Sequence, residues 1–297
     1  MTRTPTALRA LLACALNVAC LAAPLTAHAT IRHHRHHPAG VPGLPSLRSS
    51  SVLVVDENTS EVLMSRKADA VIPIASITKL MTSLVVLDAH QSTDEMIRLT
   101  PADRQVGRGG HSRLPTGATL SRGDLMHLAL MSSENRAAFA LGLNYPGGVP
   151  AAVAAMNAKA RALGMTHSHF ADPTGLSAQN TSSPEDLALL VAAASRNPQI
   201  RAWSTDDRHR VRIGRHDLEF RNTDNLVSNP SWNIIVQKTG YTNEAGRCLV
   251  MKAIIEDRPI VIVLLDSFGK YTRIADARRI RDWIHLRANE RVEHASR

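Results

Sequence analysis

Strand-forming segments lie toward the two ends of this chain with a long helical stretch between them, and that order limits the fold more than any other feature. Ser51-Val52-Leu53-Val54-Val55-Asp56 and Glu61-Val62-Leu63-Met64-Ser65 flank the polar Glu57-Asn58-Thr59-Ser60 and read as a hairpin. Asn233 to Lys238, Gly246 to Ile255 and Pro259 to Asp266 give three further β-rich runs. A helical pattern follows from Thr272 to about Arg287, with Ile274, Ala277, Ile280 and Ile284 on one face. From about Ile77 to Arg201 the chain is rich in Ala and Leu, with helical spacing over Asp124 to Met131, Arg136 to Leu143, Pro150 to Leu163 and Pro184 to Ala194. Strands from both ends joining in one antiparallel sheet, flanked by helices and with a helical subdomain inserted, make an α+β architecture.

The first residues carry the marks of an export signal. Arg3 and Arg9 supply positive charge, Ala10 to Ala23 is an apolar run, and Ala27-His28-Ala29 offers a small-x-small cleavage site. Asn17 breaks the run and Pro24 stops it, short of the roughly 20 apolar residues that a membrane span needs. Residues 30–48 carry His33, His34, Arg35, His36 and His37, then Pro38, Gly40, Pro42, Gly43 and Pro45, and read as a flexible linker. No carboxylate or cysteine joins these histidines in a structural spacing, so no metal and no other cofactor is expected. The folded domain is then 49–290, with a tail at 291–297.

Cys14 and Cys20 fall within the signal, leaving Cys248 without a disulfide partner in the domain; in Cys248-Leu249-Val250-Met251 it reads as a buried small hydrophobe. Removing Arg3 and Arg9 with the signal leaves 33 basic and 26 acidic side chains, a net charge of +7. Such a surface outside the cytoplasm suits peripheral contact with an anionic wall or lipid headgroups. The densest basic run, Arg208-His209-Arg210-Val211-Arg212, lacks the interleaved aromatics of a base-stacking platform and reads as a solvated hairpin, so no nucleic-acid partner is expected.

Three short strings bear chemistry: Ser76-Ile77-Thr78-Lys79, Ser133-Glu134-Asn135 and Lys238-Thr239-Gly240. Residues three apart share a helix face, so a helix beginning near Ser76 brings the Lys79 amine to the serine hydroxyl. The helix N-terminus favours a developing oxyanion there. Ile77, Leu80, Met81 and Leu84 make this helix apolar, which buries Lys79. For Lys79 to act as a base its pKa must fall from about 10.4, and three units cost about 4 kcal/mol. Burial and a second cation can supply that shift. Ser133 and Asn135 suit either helix capping or a proton relay and an amide grip. Lys238, Thr239 and Gly240 end a strand, where a cation and a hydroxyl can hold a carboxylate and glycine permits close approach.

These three strings in this order resemble the signature of penicillin-binding proteins and serine β-lactamases. Pro73 to Thr82, Met131 to Ala138, Asp172-Pro173-Thr174-Gly175-Leu176-Ser177 and Lys238 to Gly246 are similar to the low-molecular-mass D-alanyl-D-alanine peptidases, above all to endopeptidases of the penicillin-binding protein 7 type. The resemblance spans about Ser51 to Arg287. It implies the β-lactamase/transpeptidase-like fold, peptidoglycan stem peptides and cross-links as substrates, and β-lactams as covalent inhibitors; with the export signal, the expected location is periplasmic, soluble after signal cleavage. It implies Ser76 as nucleophile, Lys79 as proton acceptor and Ser133 as proton relay to the leaving amine. Asn135 would grip the donor amide, Lys238 and Thr239 the carboxylate, and the N–H groups of Ser76 and Tyr241 would form the oxyanion hole beside Gly240.

A D-alanyl-D-alanine carboxypeptidase shares all of this machinery; its membrane-attached relatives carry an added C-terminal domain, whereas about ten residues follow the last helix here. A serine β-lactamase would need a deacylating glutamate in a Glu-x-x-Leu-Asn loop, and no such string lies between Asn135 and Lys238; Glu185 in Ser183-Pro184-Glu185-Asp186 reads as a helix start. A non-catalytic wall-binding or β-lactam-sensing module is the remaining alternative. Glu134 and Arg258 are further candidates for tuning the site.

Overall fold

The computed structural model describes residues 43–104 and 112–295. The export signal at 1–29 and most of the linker at 30–48 lie outside the described residues. β1 (Ser49–Asp56) and β2 (Val62–Arg66) form the expected first hairpin. β3 (Ile72–Pro73) then leads through a 3-10 turn at Ala75–Ile77 into α1 (Thr78–Asp88). The inserted region contains β4 (Met96–Arg98), β5 (Thr119–Ser121), α2 (Arg122–Met131), α3 (Asn135–Leu143), α4 (Gly148–Ala162), β6 (Thr181–Ser182), α5 (Pro184–Arg196), α6 (Pro198–Thr205) and the hairpin β7 (Arg208–Ile213) with β8 (His216–Arg221). β9 (Asn233–Thr242), β10 (Gly246–Ile255), β11 (Arg258–Ser267) and α7 (Thr272–Ala295) complete the chain order.

The main sheet has the order β2-β1-β11-β10-β9, and all neighbours are antiparallel. The first and last strands thus meet at its centre, where Val54 lies opposite Ile262. Alternation along the strands assigns the two faces. Leu53, Val250, Val263 and Leu265 pack with Leu80 and Leu84 of α1 and with Leu187 and Val191 of α5. Val52, Val54, Leu249, Met251, Ile262 and Leu264 pack against Ile274, Ala277, Ile280 and Ile284 of α7, the stripe expected from spacing. Each fully buried Val, Leu, Ile or Met side chain among them contributes about 1.5–3 kcal/mol. A third cluster joins Leu125 and Leu128 of α2 to Leu141 of α3, with Val211 and Phe220 of the β7–β8 hairpin closing it.

Local chemistry places the helix starts. Ser121 caps α2 by accepting from the Asp124 N–H at 2.9 Å, and Ser183 caps α5 by accepting from the Asp186 N–H at 3.2 Å, with Pro184 in the first turn. α7 continues to Ala295, past the expected end near Arg287 and into the segment assigned to a tail, because no glycine or proline follows Ile284 to stop it. The basic run forms β7, with Arg210 and Arg212 paired to Glu219 and Asp217 of β8. Cys248 is fully buried. Among the described residues no helix is long and apolar enough to cross a membrane.

Candidate active site

Ser76 lies in the 3-10 turn, and α1 proper begins two residues later at Thr78. The cause is Ala75, whose φ of +48° turns the chain sharply after β3. A non-glycine residue held there costs about 1–3 kcal/mol, so the surroundings must enforce it. The loop at Asp172–Ser177 does so. Gly175 has φ +83°, and a Cβ on it would stand 1.9 Å from the Ala75 carbonyl oxygen, so only glycine fits beneath the turn. The Asp172 carboxylate organises that loop, accepting from the N–H groups of Thr174 (2.5 Å), Gly175 (2.8 Å) and Ser177 (2.8 Å) and from the Asn180 amide (2.7 Å). Burial pushes its pKa up, but the hydrogen bonds from Thr174, Ser177 and Gly175 outweigh it and hold the carboxyl below its ordinary range.

The expected pairing of Ser76 with Lys79 survives the shifted helix start. Lys79 Nζ donates to Ser76 Oγ, to Asn135 Oδ1 and to the Thr174 carbonyl oxygen, each at 2.7 Å. Its side chain is fully buried. Burial drives its pKa from 10.5 to about 7, with the charges of Asp172 and Glu134 pulling the other way. When the amine is neutral, Asn135 and Thr174 can occupy its two N–H groups, which leaves the lone pair aimed at the Ser76 hydroxyl.

Asn135 opens α3, and Glu134 is its N-cap, accepting from the Arg136 N–H at 3.2 Å. Glu134 therefore has two effects, capping the helix and biasing the Lys79 proton through its charge. Ser133 is held at φ +59°. Among the described residues its hydroxyl has no hydrogen-bond partner, so the structure brings Asn135 to Lys79 but leaves Ser133 unengaged.

Lys238, Thr239 and Gly240 lie on β9, opposite Val250, Leu249 and Cys248 of β10. A Cβ on Gly240 would meet the Ile74 carbonyl oxygen at 3.0 Å and the Ser76 nitrogen at 3.2 Å, so the strand passes directly beside the serine turn. Lys238 is fully buried and donates to the Thr239 carbonyl oxygen at 2.9 Å. Its pKa is pushed well below the ordinary lysine value, first by burial and then by the charges of Lys79 and Arg273. Tyr241 is half exposed, and the Arg247 guanidinium sits 4.3 Å from its ring centre.

Three residues join the site without having been expected there. Arg273, at the start of α7, is 8% exposed, and among the described residues its Nε has no hydrogen-bond partner. Thr223 and Thr239 share a hydroxyl–hydroxyl hydrogen bond of 2.6 Å. Asp224 is pushed up to about 6 by burial, against the opposing charges of Arg273 and Lys238. Arg273 did carry a sequence signal, because a cation in the first helical turn opposes the helix dipole and needs another reason to be there. Arg258 lies elsewhere. It pairs with Asp56 at 2.6 Å and Glu61 at 3.4 Å, at the opposite end of the sheet, roughly five residues or 16 Å along from Lys238.

The assembled groups comprise a serine hydroxyl facing an amine that can be neutral near pH 7, an amide at the same amine, and a buried cationic wall formed by Lys238 and Arg273. The charges of Lys238 and Arg273 repel each other, with the buried Asp224 as an opposing charge acting on both, and a substrate carboxylate would add to that compensation. The arrangement is suited to acyl transfer from a substrate that ends in, or carries, a carboxylate.

Comparison with known proteins agrees. The profile of peptidase family S11, described as D-alanyl-D-alanine carboxypeptidase, matches residues 38–269. The chain is 50% identical over 248 residues to the D-alanyl-D-alanine endopeptidase of Pseudomonas aeruginosa, covering 83% of this chain and 80% of that protein. It is 47% identical over 242 residues to the D-alanyl-D-alanine endopeptidase of Escherichia coli, covering 81% and 78%. Among solved structures, the D-alanyl-D-alanine carboxypeptidase of Mycobacterium tuberculosis superposes with a TM-score of 0.75 at 28% identity, over 84% of this chain and 95% of that one.

Proposed function

The chain belongs to the D-alanyl-D-alanine carboxypeptidase family of serine peptidases, S11, and we propose that within it the protein is a D,D-endopeptidase that hydrolyses D-alanyl-diaminopimelate cross-links of peptidoglycan. The observation that carries the assignment of the machinery is the Lys79 amine, buried, shifted to about 7 and hydrogen-bonded to Ser76 and Asn135. The endopeptidase preference rests on the identities of 50% and 47% to relatives of that name.

In this reading neutral Lys79 takes the Ser76 proton as Oγ attacks the carbonyl carbon of the D-alanine residue in the donor stem. The N–H groups of Ser76 and Tyr241 hold the oxyanion, Asn135 grips the donor amide, and Lys238, Thr239 and Arg273 receive the carboxylate on the far side of the bond. Ser133 rotates toward Lys79 and passes the proton to the leaving amine. Water then attacks the acyl-enzyme, returning the proton through Lys79 and freeing Ser76. A β-lactam acylates the same serine and leaves slowly. The domain at 49–290 carries this chemistry, after an export signal at 1–29 that delivers it to the periplasm and a linker at 30–48. Its basic surface makes peripheral contact with wall or membrane.

The test is incubation with purified cross-linked peptidoglycan, with the muropeptides weighed by mass spectrometry. The endopeptidase reading expects dimers to disappear while terminal D-alanine is retained. Loss of terminal D-alanine with dimers intact would instead make the protein a carboxypeptidase.

A further inference from the structure

Away from the serine site, two histidines and two acids converge where α2, the end of α6 and β7 meet. His127 of α2 and His209 of β7 stack with ring centres 4.0 Å apart, and Trp203 also stacks with His127 at 6.2 Å. Asp206, just after α6, brings Oδ2 to 3.2 Å from His127 Nε2. Among the described residues Nε2 is a buried ring nitrogen without a hydrogen-bond partner, on a side chain 8% exposed. His209 Nε2 meets Asp124 Oδ1 at 2.8 Å. One ligand atom from each of His127, Asp206 and His209 can be chosen so that all three lie within 4.8 Å of one another.

We infer that His127, Asp206 and His209 form a binding site for one divalent cation of the zinc class, separate from the catalytic machinery. Tetrahedral ligands at 2.0–2.2 Å from zinc stand about 3.3 Å apart, the spacing that Nε2 and Oδ2 already have. Two imidazoles and one carboxylate form a borderline-soft donor set of the kind zinc takes, with water completing the shell. Asp124 supplies the carboxylate that commonly orients a ligating histidine through its other nitrogen. His127 is held by its helix and the Trp203 ring, while Asp206 and His209 are partly exposed and can close on the ion. The bound cation would tie α2 to the β7–β8 hairpin. α2 runs into the Ser133 loop, and the chain leaving that hairpin reaches Thr223, the partner of Thr239, so the clamp braces both walls of the active site from behind.

The experiment uses the full chain with His33, His34, His36 and His37 replaced by serine, so that the linker histidines do not compete. Zinc chloride is titrated by calorimetry, and thermal unfolding is followed with and without it. One site per chain is expected, with Tm raised by roughly 5–10 °C at free zinc about 100-fold above Kd. Asp206→Asn and His209→Gln, each folded in the absence of metal, should each lose that binding and that rise. Absence of one-site binding, or an equal rise in both variants, would overturn the proposal. The readouts do not depend on peptidase activity, so failure here leaves the endopeptidase assignment untouched.

Discussion

If Lys79 takes the Ser76 proton, the rate of acylation must follow the neutral fraction of a single buried amine. An unperturbed lysine with a pKa of 10.5 would be neutral in about one molecule in 3,000 at pH 7, whereas at about 7 half are neutral. Burial therefore raises the reactive fraction by about 10³, corresponding to about 5 kcal/mol of differential stabilisation. Measured by stopped flow at saturating fluorescent penicillin, acylation should rise about tenfold per pH unit below 7 and level off above it. Lys79→Arg, which keeps the charge but cannot deprotonate, should lose at least 10³ in rate while remaining folded. A profile flat from pH 5 to 9, an inflection near 10, or a Lys79→Arg variant within tenfold of wild type would refute the base assignment.

The same shift predicts a stability effect. The folded protein binds fewer protons than the unfolded chain between about pH 7 and 10.5, so the cost of burying Lys79 is fully present below 7 and diminishes as pH rises through that window. The stability of Lys79→Met relative to wild type should accordingly be about 3 kcal/mol more favourable at pH 6 than at pH 9 by denaturant titration, and an identical difference at both would contradict it. Gly175→Ala places a Cβ against the Ala75 carbonyl and should cost more than about 3 kcal/mol, seen calorimetrically as a fall in Tm of at least 6 °C; an unchanged Tm would refute the packing argument. Arg273→Gln should raise KM for a carboxylate-bearing peptide about 10- to 100-fold with kcat little changed; unaltered KM would exclude Arg273 from carboxylate binding. Arg258→Ala should lower stability by about 1–3 kcal/mol through Asp56 yet leave kcat/KM within twofold, and a large loss of activity would place it back at the site.

Much of this arrangement was legible in the order of residues. The period-two runs at both ends identified strands, and their registers put Val52 and Leu53 on opposite faces, as alternation requires. Ser76 and Lys79 met because any helical turn brings residues three apart together, whether 3-10 or α, so the displaced helix start did not disturb the pair. The displacement itself was hidden because it arises from Gly175, 100 residues away, forcing the Ala75 backbone. The source of the Lys79 shift was half foreseen. Burial dominates as expected, and the mutual repulsion of the two lysines is expressed at Lys238. Thr223 escaped notice because its proximity to β9 is a product of tertiary folding, with no local pattern to announce it, and Arg273 showed only in its unfavourable place in the first turn of α7. Arg258 opens β11, and its partners Asp56 and Glu61 come from the other end of the chain.

Rapid-quench mass spectrometry of the protein mixed with cross-linked muropeptide dimers tests most directly whether Ser76 carries the acyl group of the peptidoglycan donor strand. Trypsin cuts after Lys67 and Lys79, so the serine travels in the peptide 68–79. This peptide alone should gain the mass of the donor stem ending in D-alanine, and Ser76→Ala should show neither the adduct nor loss of dimers. Dimer cleavage by Ser76→Ala at the wild-type rate, or an adduct mapped to another peptide, would contradict it.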